Sequence, residues 1–301
     1  MTKKILRSPL FYVGDKYKLM KQLINLFPKE INNYYEPFVG GGTVFLNIDA
    51  KKYVLSDSNK HLINIHKFLM DCSITPDKFF DQVQLLINQY NLSKSFKEDV
   101  IPDSLKKEWK KTYFARYNKE GYERLKEHVN NKGKNDPLIL YLLLIYGFNR
   151  MLRFNGGGKF NLPVGNVDFN KNVVNALNGY FHFVQNKKIK ITSQDFRTFF
   201  IKKEFQKNDF IYLDPPYLIT SSEYNKFWNS QTEIDLLNVI DKLNKKGIKF
   251  ALSNVTHYNE ENNSLLIKWM GKYNIHKIES NYINYHNNRK KIIKEVLITN
   301  Y

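Results

Sequence analysis

The 301-residue sequence predicts an α/β fold: a mostly parallel sheet covered by helices, interrupted by a mainly helical insertion. Three observations predict it. Strand-like segments flank a glycine-rich turn before residue 66. From residue 67 helical patterns take over and end in a polar, Gly- and Asn-rich stretch. After about residue 172 strand and helix patterns alternate again, as parallel strands joined by helical crossovers require. The expected division is residues 1–66 with 172–301 for the α/β domain, and 67–171 for the insertion.

In chain order, "DKYKLMKQLINLF" sets Leu19, Met20, Leu23, Ile24 and Phe27 on one helical face, with Pro28 as a stop. "NNYYEPFVGGGTVFLNI" reads as strand, glycine turn and short helix. "KYVLSDSN" is a second strand ending in Asp57, and Ser58 or Asn59 can cap the helix "KHLINIHKFLM" that follows. The insertion holds "DKFFDQVQLLINQYNL", a charged stretch around "PDSLKKEWKKTYFARYN", and "DPLILYLLLIYGF". "NRMLRFNGGGKFNLPVGNVDFN" is then a loop or β-hairpin presenting polar side chains. "KKIKITSQDF", "DFIYLDPPY" and "IKFALSNV" are strands. "TEIDLLNVIDKLNKKG" is an amphipathic helix closed by Gly247, and "NSLLIKWMGKY" is another helix. The tail "INYHNNRKKIIKEVLITNY" predicts a terminal hairpin.

Composition narrows the function classes. Forty-seven Lys and Arg against 29 Asp and Glu leave a formal charge of +18, which points to a polyanionic partner, nucleic acid before a membrane surface. The single cysteine, Cys72, excludes an internal disulfide and a multi-cysteine zinc site, and no metal is expected. The N-terminal segment lacks the apolar run of a signal peptide, and "LILYLLLIYGF" is about half a membrane span. A soluble, cytoplasmic protein is expected.

Gly40, Gly41 and Gly42 lie between strand and helix, where a ligand can approach the backbone. Asp57 closes the next strand, placed to accept hydrogen bonds from both ribose hydroxyls of a nucleoside. The pattern is neither the dinucleotide fingerprint nor the phosphate loop, so a cofactor without phosphates, such as S-adenosylmethionine, is favoured over a pyrophosphate. A turn that uses glycine only for packing remains equally open on this signal alone.

"DPPY", Asp214 to Tyr217, follows the strand "FIYL" and so stands at a sheet rim. Pro215 and Pro216 fix the backbone and remove local donors. Asp214 and the Pro215 carbonyl supply two acceptors, and Tyr217 a flat face. That set matches an exocyclic amine on an aromatic base. Two acceptors gripping its hydrogens push electron density onto nitrogen, and the ring stacks on Tyr217 while the nitrogen attacks an in-line methyl sulfonium.

The succession "YVGDK", "EPFVGGG", "LSDSN", insertion, "DPPY", "LSN" resembles the Dam-type (D12 class) DNA adenine-N6 methyltransferases over nearly the whole chain, the phage-type members most. The resemblance implies a Rossmann-like class I S-adenosylmethionine-dependent methyltransferase fold, with helices on both sheet faces. It implies cofactor contacts from Tyr12, Lys16, Glu36, Phe38, Val39, the three glycines, Asp57, Asp195, Phe196 and Asp214. Asp15 stands where members often have glycine. The insertion becomes a target-recognition domain for double-stranded DNA, with Asn149, Met151, Arg153, Asn155, Lys159, Pro163 and Asn166 at contact positions. Arg153 corresponds to an arginine that reads a guanine edge. Asn166 stands where many GATC-specific members carry a basic residue, which weakens GATC as the target more than it weakens the chemistry. The adenine is expected to be flipped out of the duplex by a monomeric enzyme. Rival readings are methylation of RNA or of a protein glutamine on the same fold, and a DNA-binding relative without turnover.

Overall fold

The structure, a computed structural model, describes residues 4–97, 101–133, 136–201, 203–220, 228–279 and 293–301. It divides into two compact units. One comprises Met1–Tyr17, Gly40–Leu46 and Asn59–Lys187; the other Lys18–Val39, Asn47–Ser58 and Lys188–Tyr301.

The second unit is built on one sheet. Its strands are β1 (Asn33–Glu36), β2 (Lys52–Asp57), β3 (Lys188–Ser193), β4 (Phe210–Leu213), β5 (Lys249–Tyr258), β6 (Glu261–Asn262), β7 (Asn274–Ile278) and β8 (Ile293–Thr299). The order is β3-β2-β1-β4-β5-β8-β7, with β6 paired to β5. β3, β2, β1, β4 and β5 run parallel, while β8 is antiparallel to both β5 and β7. Chain direction across the sheet reverses between β1 and β4, the switch point where open α/β sheets bind ligands.

Alternation along the strands separates the two faces. Tyr35, Ile211, Leu213, Phe250, Leu252, Val296 and Ile298 form one core with Phe196, Phe199, Leu236, Ile240 and Leu266. Those last five residues come from three helices of this unit, Phe196–Phe200, Ser230–Lys245 and Ser264–Met270. On the opposite face Phe27, which caps the helix Met20–Leu26, meets Phe210 and Tyr212 with ring centroids 5.2 and 5.5 Å apart. Helices therefore cover both faces, as expected.

In chain order the helices are α1 (Met20–Leu26), α2 (Lys60–Cys72), α3 (Pro76–Gln89), α4 (Asp103–Trp109), α5 (Tyr113–His128), α6 (Pro137–Tyr146), α7 (Lys171–Gln185), α8 (Phe196–Phe200), α9 (Ser230–Lys245) and α10 (Ser264–Met270). α2 to α7 make up most of the first unit. Asn59 caps α2 by accepting from the His61 and Leu62 amides at 3.1 and 3.3 Å. α6 begins with the Asp136 cap and Pro137. Every residue from Leu138 to Tyr146 is buried, the mark of a helix apolar all round and central to a core. Among the described residues no helix is long and apolar enough to cross a membrane.

Two expectations need correction. The helix after the glycine turn is a single 3₁₀ turn, Phe45–Asn47, because positive-φ Gly42 and the β-branched pair Thr43–Val44 delay it and the next strand begins at Lys52. The terminal hairpin draws its first strand, β7, from residues before the predicted stretch; residues 283–292 of that stretch lie outside the described ones.

Candidate active site

In the sheet unit, the carboxyl ends of neighbouring parallel strands carry the predicted acids. Asp195 follows β3, Asp57 ends β2, Glu36 ends β1 and Asp214 follows β4. Glu36 is buried and its carboxylate accepts from the Tyr34 hydroxyl at 2.9 Å. Asp57 is half-buried; its carbonyl accepts from the Gln194 amide at 3.1 Å, which draws the segment after β3 onto β2. Asp195 caps α8 through the Arg197 amide at 2.8 Å, and the Arg197 guanidinium bridges it to Asp235. Its side chain is close to half exposed.

Phe196, at the first position of α8, is buried against Phe38 and Trp228, with centroids 5.5 and 5.7 Å away. The Trp228 indole donates to Glu233 at 2.6 Å, and the same carboxylate accepts from Asn254 and Asn263, each at 3.1 Å. Burial raises the Glu233 pKa above the ordinary carboxylate value, against the lowering effect of these donors. Glu233 thus ties the aromatic shelf under Phe38 to the "LSN" segment of β5. The sequence reading missed it; a lone acid among the apolar positions of an amphipathic helix was the available signal.

At the Asp214–Tyr217 turn, Pro215 is buried and the other three residues are half-buried. The Tyr217 hydroxyl lies 3.0 Å from Asp214 Oδ1 and 3.3 Å from Glu295 Oε1, and donates to one carboxylate or the other. Glu295 is buried on β8, an acid inside the apolar run "EVLIT" that the sequence reading also passed over. A cleft of about 480 Å³ lies beside the turn, lined by Leu218, Ile219, Thr220 and residues 258–261.

The other unit holds the glycine turn. Val39, the last residue of the sheet unit before it, donates its amide to the Ser56 carbonyl at 2.8 Å. Gly40 and Gly42 adopt positive φ, +48° and +82°, where glycine avoids the Cβ penalty. A Cβ on Gly41 would stand 3.0 Å from that of Tyr12, so the backbone passes close under the N-terminal segment. The Ser8 hydroxyl donates to the Gly41 carbonyl. His66 Nε2 lies 2.9 Å from the Gly40 carbonyl, which can only accept, so Nε2 carries the proton and Nδ1 accepts from the Tyr180 hydroxyl at 3.2 Å. Full burial lowers the His66 pKa to about 4 and keeps the ring neutral. Tyr12 and Lys16 are both buried; the Lys16 ammonium reaches the Gly14 carbonyl at 3.3 Å. Asp15 accepts from the Tyr17 amide at 3.2 Å, a local turn contact for the residue that departs from the family pattern.

The predicted DNA contacts of this unit gather on one irregular hairpin, bridged at Phe154–Phe160 and at Gly147–Val164. Asn149 is exposed with φ +51°, Met151 is half-buried, and Asn155, Lys159 and Pro163 are exposed. Asn155 accepts the Lys159 amide at 2.9 Å and so builds the glycine-rich tip. Arg153 Nε and Nη2 donate to Asn161 Oδ1 and O at 3.0 and 2.8 Å. That commits one edge of the guanidinium fork to the hairpin and leaves the Nη1–Nη2 edge for another acceptor pair. Asn130 brackets Phe160 like an added strand, donating to its carbonyl at 3.0 Å and accepting its amide at 2.7 Å. Asn166 is exposed and engaged on both sides of its amide: its Oδ1 accepts from the Ala115 amide at 3.1 Å and its Nδ2 donates to the Lys111 carbonyl.

A sheet of this order, with acids at the carboxyl ends of β1 to β4 and an Asp-Pro-Pro-Tyr turn beside its switch point, defines a class I methyltransferase fold. Residues 12–283 match the family model described as D12 class N6 adenine-specific DNA methyltransferase, and the chain belongs to that family. It is 36% identical to the modification methylase StsI of Streptococcus sanguinis and 34% identical to the type II methyltransferase M.FokI of Planomicrobium okeanokoites. Each match takes in 100% of this chain but 44% of the relative, so the chain spans about half the length of those two proteins. It is also 28% identical to a DNA adenine methylase of Vibrio cholerae, over 82% of this chain and 81% of the relative.

Proposed function

We propose that the chain is an adenine-specific DNA methyltransferase that uses S-adenosylmethionine to methylate N6 of an adenine flipped out of duplex DNA. The observation that carries this is the Asp214 carboxylate on the rigid Asp-Pro-Pro-Tyr turn, beside the sheet's switch point, within the matched family region. Asp214 and the Pro215 carbonyl grip the amino hydrogens, and Tyr217 provides the stacking face. The hydroxyl of Tyr217 orients the carboxylate, leaving it an acceptor toward the amine.

The cofactor's sulfonium supplies the electrophilic methyl. Residues suited to hold it are present: a glycine turn with open space over Gly40, a ribose acceptor in Asp57, and Glu36. Tyr12, Lys16, Phe38, Val39, Asp195 and Phe196 complete the proposed cofactor set. Residues 67–171 act as the target-recognition segment, and Arg153 reads guanine with its uncommitted edge. GATC is the first sequence to test. The enzyme acts as a monomer in the cytoplasm, in a modification role like those named for its relatives.

Asp214→Ala is the test. Methyl transfer to unmethylated genomic DNA is lost while duplex affinity is retained. Unchanged transfer, or labelled methyl found only in RNA or protein, refutes the reading. Sequencing DNA from a methylation-free host that expresses the chain gives the base and its context.

A further inference from the structure

The charged stretch between α3 and α6 has no part in the chemistry above. α4 ends at Trp109, the chain reverses through Lys110 at φ +37°, and α5 starts at Tyr113. Such a backbone on a lysine is unfavourable by about 1–2 kcal/mol and persists only where its surroundings hold it. The Lys110 amide donates to the Lys106 carbonyl at 2.9 Å and the Thr112 amide to the Trp109 carbonyl at 2.8 Å, and Asn166 fastens the corner from outside. Its amide bonds the Lys111 carbonyl on one side and the Ala115 amide, in the first turn of α5, on the other.

Asn166 directly follows Gly165, whose amide donates to the Tyr146 carbonyl at 2.7 Å, and the neighbouring Pro163 carbonyl accepts from Phe148 at 2.9 Å. The corner is therefore fastened to the base of the hairpin that carries Arg153.

The corner is strongly positive. Lys107, Lys110 and Lys111 are exposed and, among the described residues, pair with no carboxylate. Lys106 is engaged by Asp103 at 3.4 Å, and the Arg116 guanidinium lies 4.6 Å over the Trp109 ring. Glu108 is the other acid on α4; Glu98 and Asp99 lie outside the described residues. The first turn of α5 has no acid and no side-chain cap from Thr112, so the positive end of its dipole adds to the same field.

We propose that Lys107, Lys110 and Lys111 form a phosphate clamp, held by Asn166 in fixed register with the recognition hairpin, that grips the duplex backbone beside the target site. This rests on the DNA reading above. Asn166 acts by positioning: it fastens the Lys111 backbone, next to Lys110, to the base of the hairpin.

The test measures binding to a random-sequence duplex across a salt series. The subjects are the wild type, a variant combining Lys107→Ala, Lys110→Ala and Lys111→Ala, and a variant with arginine at all three positions. Each lost phosphate contact lowers the slope of log K against log salt by about 0.9, so the alanine variant should fall by about 2–3. The arginine variant keeps the wild-type slope. An unchanged slope in the alanine variant, or a loss that arginine does not restore, overturns the clamp. If the wild type itself binds no duplex, the DNA reading falls together with the clamp. Wild-type binding with an unchanged variant slope overturns the clamp alone.

Discussion

Acidification should weaken the unit that contains the glycine turn, and His66 should account for a defined part of the loss. Its folded pKa is depressed to about 4 from an ordinary value of 6.5, because the neutral ring is buried between the Gly40 carbonyl and the Tyr180 hydroxyl. Between those values the unfolded chain binds a proton that the native state refuses, so stability rises with pH across the window. The contribution is intact above 6.5 and is lost as the pH falls toward 4. Linkage gives a loss of about 2 kcal/mol between pH 7 and pH 5, and about 3 kcal/mol once both states are protonated. The assay compares urea-unfolding midpoints at pH 7 and pH 5 for the wild type and His66→Gln. The glutamine amide can still donate to Gly40 but does not titrate. The variant should be less stable at pH 7, yet its loss on acidification should be smaller than the wild type's by about 2 kcal/mol. An equal loss in both proteins would show that His66 is not the buried neutral anchor described.

Other perturbations follow from the same contacts. Gly42→Ala combines a positive φ with a Cβ 2.5 Å from the Phe45 ring, so it should cost about 2–5 kcal/mol; Gly40→Ala meets open space and should cost only about 1–2, both read from urea midpoints. Glu233→Gln leaves one acceptor oxygen for three donors, and the stranded group should cost about 1–3 kcal/mol of stability in the same assay. Arg153→Ala should relax preference at one base pair by about 1–3 kcal/mol in competition binding against single-base variants of the site, and Arg153→Lys should not rescue it, because an ammonium lacks the planar fork.

The rim of the sheet was readable because its information is local. An acid that closes a β-branched or aromatic run, as in "VLSD" and "FIYLD", states both the strand and where it ends. Asn59 was readable as a cap for the same reason. Contacts between distant segments left no such trace. Asn166 and Lys111 are 55 residues apart, Tyr217 and Glu295 78, and His66 and Tyr180 114. Nothing in the spacing around Asn166 announces that its amide bonds the Lys111 carbonyl and the Ala115 amide. Lys16 shows the same limit: read alone it is an ordinary surface lysine, yet it is buried against its own turn.

The acids of the sheet rim carry an electrostatic consequence of their own. Glu36 and Glu295 are buried and Asp57 and Asp214 half-buried, so four carboxylates gather at one end of the sheet in a chain whose formal charge is +18. Under the proposed function, carboxylates taken partly out of water favour a cationic ligand such as a sulfonium over a phosphodiester.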